Sequence, residues 1–288
     1  MIPLLTIIIP AYNAEIYLKN TIDSVLSQSF QNFNIVIIND GSRDNTQEII
    51  ETISKKETQI KYKTIQNSGV SIARNEGLKF VNTKYVLFLD ADDLLSTNFL
   101  EDRITFLEAH QEYSICGSSI TTFNEEGEYN ETAMHAPTEN GLREILLYDP
   151  SVASIPSNLI IRADRLRRND ITFRSSLNSS ADKFFLLELF KAGFKSKSIK
   201  NSPLYYRIHA NSMSQKISKK LFEDNLNYFN LIISEDLVPS DILIKVKQKN
   251  NYILAGLSKH LKLYHKTLKY GLKFWLQSTT FTVKKWLH

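Results

Sequence analysis

One cysteine, nine glycines and seven prolines are a sparse supply for a chain of 288 residues. Cys116 alone can form no intramolecular disulfide and no Cys-based zinc cluster, which fits a reducing cytoplasm. No uncharged apolar run approaches the roughly 20 residues that cross a bilayer, so integral membrane insertion is not expected. The start, Met1 to Pro10, lacks the basic opening, longer apolar core and small-residue cleavage site of a secretory leader. Acid is missing at the other end. After Asp241 there is none, while ten lysines fall between Lys245 and Lys285, so the net charge of +4 becomes −6 over residues 1–241. The basic character therefore belongs to the tail and to what the tail touches.

What is present is the composition of an ordinary folded chain, 42% hydrophobic and 23% charged, with no low-complexity stretch. Leu4 to Ile9 is a short continuous apolar run, the pattern of a strand buried on both faces. Ile16 to Leu26 has helical spacing, Phe33 to Ile38 is a second buried strand, and Asn45 to Ile53 is a helix capped by Asp44 or Asn45. Lys61 to Ile65, Val70 to Phe80 and Tyr85 to Leu89 continue as strand, helix, strand. This alternation predicts an α/β chain whose mostly parallel sheet is flanked by helices. Glu125 to Asn140 is polar, holds Gly127 and Pro137, and reads as a mobile loop near a binding cleft. Ala181 to Ala192 is an amphipathic helix, Lys195 to Lys200 and Leu204 to Ile208 are strand-like, and from about Ile217 the pattern is helical.

In open α/β sheets ligands bind beyond the carboxyl ends of the strands, which singles out the polar residues after each strand. Asp90-Ala91-Asp92-Asp93 follows the strand ending at Leu89. Carboxylates so crowded repel one another unless solvated or bound to a hard divalent cation, which keeps open positions for phosphate oxygens. The alternative is a helix start, where acids favour the dipole. Asp40-Gly41-Ser42 follows the second strand and can accept hydrogen bonds from a base edge or ribose, or can simply be a turn leading to a cap. Pro10-Ala11-Tyr12-Asn13 ends the first strand, and no GxGxxG turn suggests a dinucleotide.

Taken in order, Thr6 to Asn13, Ile38-Asn-Asp-Gly-Ser42, Asn67-Ser-Gly-Val-Ser-Ile-Ala-Arg-Asn75 and Leu89-Asp-Ala-Asp-Asp93 resemble glycosyltransferase family 2, of the Rossmann-like GT-A fold. The resemblance covers residues 4–95 closely and the chain to about residue 215 more loosely. It implies a catalytic domain over 1–215, with a nucleotide-binding half (1–95) and an acceptor-binding half (96–215), followed by a helical, basic extension over 216–288. It implies that Pro10, Ala11, Tyr12 and Asn13 pack on the nucleotide, that Asp40, with Ser42 beside it, takes the base, and that Arg74 faces the diphosphate. Asn39 stands where the family usually has a first acid. Asp90, with Ala91 beside it, falls near the ribose or a metal-bound water, and Asp92 on a divalent metal, Mn2+ or Mg2+; spacing leaves open whether Asp92 or Asp93 ligates it.

Inverting transfer needs a carboxylate to take the acceptor proton, and Asp182 stands in the family's place for it, with Ala181 where an acid is usual. Its alternative role is a cap on the helix through Phe190. Tyr205 to Ser214 resembles the Tyr-Arg-x-His-x-x-Ser segment of such domains and makes His209 a metal or phosphate ligand, or a structural histidine. Glu125, Glu126 and Glu128 read as a solvated loop face.

The expected activity is transfer of a sugar from a nucleotide sugar, a UDP-sugar, to a saccharide or lipid-linked acceptor in cell-surface polysaccharide synthesis, one sugar per encounter. The alternatives are a non-catalytic carbohydrate- or lipid-binding scaffold of this fold and a sugar-nucleotide pyrophosphorylase, which would need a Gly-rich phosphate loop after the first strand. Leu257, Leu261, Tyr264, Leu268, Leu272 and Trp275 form one helical stripe, with Lys262, Lys266, Lys269 and Lys273 beside it. Such a helix suits peripheral contact with the inner face of the membrane through 257–288, or packing on the catalytic domain or a second subunit. Nucleic acid is not an expected partner.

Overall fold

Continuous apolar runs become strands closed on both faces. The structure, a computed structural model, describes residues 3–209, 217–263, 266–267 and 269–274. Strand β1 (Leu5–Ala11) is buried along its whole length and pairs in parallel with β2 (Phe33–Asn39), from Leu5 opposite Phe33 to Ala11 opposite Asn39. Helix α1 (Leu18–Leu26) connects them. Helix α2 (Thr46–Ser54) leads to β3 (Ile60–Thr64) on the far side of β2, and α3 (Val70–Leu78) leads back to β4 (Tyr85–Phe88) on the other side of β1. The parallel register has a direct consequence. The ends of β1, β2 and β4 lie side by side, so the segments after Ala11, Asn39 and Leu89 share one edge.

Several shorter elements escape the sequence pattern. Strand β5 (Leu94–Leu95) and helix α4 (Phe99–Ala109) precede β6 (Ile115–Gly117), β7 (Ser119–Phe123) and β8 (Tyr129–His135). Helix α5 (Gly141–Leu146) and a single 3-10 turn (Pro156–Asn158) lead to β9 (Ile160–Arg162) and α6 (Ala163–Arg168). Helix α7 (Ala181–Lys191), β10 (Ser196–Ser198), β11 (Leu204–Arg207), α8 (Lys219–Ser234) and α9 (Leu243–His260) follow.

The main sheet has seven strands in the order β10-β6-β9-β4-β1-β2-β3, with β9 antiparallel to both neighbours. A second sheet, β5-β11-β7-β8, stands beside it. The polar stretch expected as a mobile loop therefore holds a strand at its centre: β8 pairs antiparallel with β7, Phe123 opposite Tyr129. Its side chains are mostly solvated, so the run carries no apolar alternation to announce it.

Helices cover both faces of the main sheet. Gly77 of α3 lets that helix lie directly on β1, since an added Cβ would come 2.4 Å from Ile8 Cγ2. The C-terminal helices pack on the body of the chain: Tyr228, Ile232 and Val246 join the same buried cluster as Phe184 and Phe185 of α7. Leu257 and Leu261 lie against Phe222, Leu254 and Tyr270, so this part of the tail's apolar stripe is taken up within the chain. Tyr264, Leu268, Trp275, Trp286 and the segment 210–216 lie outside the described residues. Among the described residues no helix is long and apolar enough to cross a membrane.

Candidate active site

The three adjacent strand ends place their polar residues on one rim. Pro10 and Ala11 are buried at the end of β1, and Tyr12 and Asn13 are exposed beyond it. Asn13 turns with φ 48°, its N–H donates to Ser42 Oγ at 3.0 Å, and its Oδ1 accepts the Arg43 N–H at 2.9 Å. The two loops are thus stitched together. Asn39, which stands in place of an acid, accepts both the Ser42 N–H (3.0 Å) and the Ser42 hydroxyl (2.6 Å). Of the two candidate caps for α2, Asp44 makes the bond, accepting the Thr46 N–H at 3.1 Å.

Asp40 is 4% exposed and receives the Ser68 N–H at 2.7 Å on one oxygen and the Gly69 N–H at 2.8 Å on the other. It fastens the loop that starts α3. Gly41, φ 68°, is required here: a Cβ would sit 2.7 Å from the Asn67 backbone nitrogen.

Arg74 lies on the inner face of α3, 2% exposed. One end of its guanidinium donates to Asp90 Oδ1 at 2.7 Å and the other to Asp182 Oδ1, while its plane lies 4.9 Å from the centre of the Phe173 ring. It is no surface ion pair. Its two outer nitrogens hold together carboxylates contributed by the end of β4 and by the first turn of α7. The side chains of Asp90 and Asp182 keep 27% and 29% of their surface exposed. Burial raises the Asp182 pKa above the ordinary carboxylate value, Arg74 pulls it back, and Asp90 adds to the rise. Asp182 makes no capping bond: Asp224 of α8 accepts the N–H groups of Asn178 (2.6 Å) and Ser180 (2.8 Å) at that helix start.

The remaining acids of the run diverge. Asp93 is fully buried, accepts the Arg207 N–H at 3.2 Å, and has its pKa pushed well up by burial and by Asp92 and Asp90. Asp92 is 35% exposed, and its Oδ2 lies 3.0 Å from His209 Nε2. Its pKa is raised by burial and by Asp90, with His209 acting in the opposite sense. Of the two, Asp92 is the one whose side chain stays partly exposed. The Ala91 carbonyl accepts the Thr21 hydroxyl at 2.8 Å, and the Asp90 N–H donates to Ser157 Oγ at 3.0 Å, so the run is pinned from two sides.

Arg207 and Tyr17 complete the rim. Arg207 Nε donates to the Asp92 carbonyl at 2.9 Å, and its guanidinium is held between Tyr17 (4.8 Å) and Phe123 (4.3 Å). Tyr17 also meets the His209 ring, centroids 4.9 Å apart, and donates its hydroxyl to Glu125 at 2.6 Å. Burial and Glu125 push the Tyr17 pKa up to about 12. Glu125, expected on a solvated loop face, is thereby tied across 108 positions of sequence to the start of α1. Arg207 is the arginine of the Tyr-Arg-x-His-x-x-Ser resemblance, whereas Tyr17 had no signal beyond its neighbours in the chain, because its contacts come from Arg207, His209 and Glu125.

Among the described residues no three acid, histidine or cysteine side chains converge as a ready-made metal cage. Asp92 and His209 offer one oxygen and one nitrogen together, a set suited to an ion that takes its remaining positions from phosphate oxygens and water.

The profile of Glycosyl transferase family 2 matches residues 6–185. A Bacillus subtilis (strain 168) relative named as a teichuronic acid biosynthesis glycosyltransferase, TuaG, is 31% identical over 224 residues, 76% of this chain and 85% of its own. EpsH of the same organism, named as a glycosyltransferase, is 28% identical over 78% of this chain, which spans 66% of that relative's length. Among solved structures, S. aureus TarS 1–349 in complex with UDP-GlcNAc superposes with a TM-score of 0.67 at 23% identity, covering 88% of this chain and 71% of that one. The mannosyltransferase PcManGT from Pyrobaculum calidifontis, in complex with GDP-Man and Mn2+, gives 0.63 at 12% identity, covering 96% and 85%.

Proposed function

The chain belongs to glycosyl transferase family 2, and on that premise we propose that it moves a sugar from a UDP-sugar to a saccharide or lipid-linked acceptor, with inversion and with a divalent metal. The observation that carries this reading is the Arg74 bridge, which sets the Asp182 carboxylate beside the Asp90–Asp92 rim and leaves Asp90 and Asp182 partly exposed. Residues 1–215 make the catalytic domain and 216–288 its extension. The base lies along Tyr12 and Asn13, with the loop that Asp40 fixes beside it. Asp92 and His209 would hold the metal, whose positive charge would offset the charge of the diphosphate leaving group. Asp93, buried and with its pKa raised, orders the turn instead.

Asp182 accepts the proton of the acceptor hydroxyl as its oxygen bonds to the anomeric carbon and the bond from that carbon to the diphosphate breaks. Arg74 acts on this base from behind: it fixes the carboxylate's direction and favours its charged form. The relative named for teichuronic acid biosynthesis and the neighbours in complex with UDP-GlcNAc or Mn2+ support the choice of acceptor class, donor nucleotide and ion. The exposed Lys245, Lys249 and Lys259 of α9 suit attraction to anionic lipid where such acceptors reside.

The test is a melting series with UDP-glucose, UDP-N-acetylglucosamine, UDP-galactose and GDP-mannose, each with and without manganese. A donor at a hundred times its Kd should add about 2.7 kcal/mol to stability. The gain should require manganese and vanish in Asp92→Ala, and Asp182→Asn should keep it while losing transfer. An equal response without metal, or none to any UDP-sugar, defeats the proposal.

A further inference from the structure

The second sheet turns one face to the core, while the other is buried at Phe123 and Arg207 and opens to water at Tyr129 and Glu131. Leu204 of β11 and Ile120 of β7 are buried and face each other's strand in register. By strand alternation Tyr205 and Arg207 of β11, Thr121 and Phe123 of β7, and Tyr129 and Glu131 of β8 share the opposite face. At one end of that face Arg207 is bound to the Asp92 carbonyl. From there aromatic rings run outward: Phe123 under Arg207, Tyr129 stacked on Phe123 (centroids 5.4 Å, 15° between planes), and Tyr205 edge-on to Tyr129 at 5.1 Å.

Tyr129 is 53% exposed although it is packed on Phe123 and met edge-on by Tyr205, so about half of its surface is left to solvent. Neither Tyr129 nor Tyr205 makes a side-chain hydrogen bond among the described residues. The exposed Glu131 and half-buried Thr121 stand next to them on the same face. Flat aromatic faces that keep a polar tip, flanked by a carboxylate and a hydroxyl, match a sugar ring: apolar C–H groups on one face and hydroxyls around the edge.

We infer that this face is the acceptor subsite, with Tyr129 stacking on a sugar ring of the acceptor chain while Glu131 and Thr121 take its hydroxyls. The inference rests on the transferase reading above and extends it: the acceptor is recognised as a saccharide at a ring removed from the reacting hydroxyl, along a track continuous with the Asp92 rim. Such remote contact lets longer acceptors bind better than single sugars.

The test uses the full chain and four named probes: the tetrasaccharides of cellulose, chitin, amylose and β-1,3-glucan. Saturation-transfer difference spectra are recorded for wild type, Tyr129→Ala, Tyr129→Phe, Glu131→Gln and, as control, Tyr62→Ala, another exposed tyrosine, on β3. At least one probe should bind wild type and bind Tyr129→Ala about fivefold to tenfold more weakly. Tyr129→Phe should retain binding, Glu131→Gln should weaken it, and Tyr62→Ala should match wild type. Binding of no probe by wild type, or equal binding by Tyr129→Ala, overturns the inference. Manganese-dependent UDP binding, measured by calorimetry on the same wild-type sample, separates the two failures. If UDP binds and no saccharide does, only the subsite falls; if UDP does not bind either, the transferase reading falls with it.

Discussion

Arg74 does at residue scale what no surface arginine could. Buried between Asp90 and Asp182 and stacked on Phe173, it has given up hydration that only two carboxylates replace. Arg74→Met keeps most of the volume and removes the charge. Because both carboxylates retain more than a quarter of their surface, the loss should sit at the low end for breaking a buried pair, about 3 kcal/mol by denaturant unfolding. The same change bears on the pH profile. Asp182 must be ionised to accept a proton, and its folded pKa already lies above the ordinary carboxylate value. The acid limb of kcat/KM should therefore lie above that of a free aspartate. Without Arg74 the charged form loses its partner, so the limb should move to still higher pH. An unchanged limb in Arg74→Met would remove Asp182 as the base.

At the scale of elements, the loops after β1 and β2 and the start of α3 behave as one unit. Gly41 lies against the Asn67 backbone, and Asp40 holds the Ser68 and Gly69 amides. Gly41→Ala combines a left-handed backbone with a backbone clash and should destabilise by about 1–3 kcal/mol in a melting experiment. It should also weaken UDP binding more than Gly127→Ala, whose added Cβ meets nothing within 4 Å. This unit was legible in the sequence, since buried parallel strands are continuous apolar runs and each ends in a conspicuous polar turn. The second sheet was legible only at β11. β5 spans two residues and β8 is solvated, while in the main sheet β6 and β9 span three residues each, so none of these offers a period long enough to read. Asp182 was legible as a carboxylate at the right place in the chain. Its bridge to Asp90 was not, because that depends on how α3, β4 and α7 meet.

On the scale of the whole molecule, a main sheet supplies one rim, a second sheet supplies Arg207 and the approach to His209, and α7 closes the space between with Asp182. The C-terminal helices continue the core through Tyr228, Ile232 and Val246, so they support α7 from behind. Three separate stretches of chain thus converge on one small volume, which gives a single measurement unusual reach. Crystals grown with UDP and manganese, with anomalous data collected at the manganese edge, locate the ion directly. The account predicts the ion bonded to Asp92 and to the diphosphate, with uracil beside Tyr12 and Asn13. An anomalous peak elsewhere on the chain, with the nucleotide away from that rim, would contradict it.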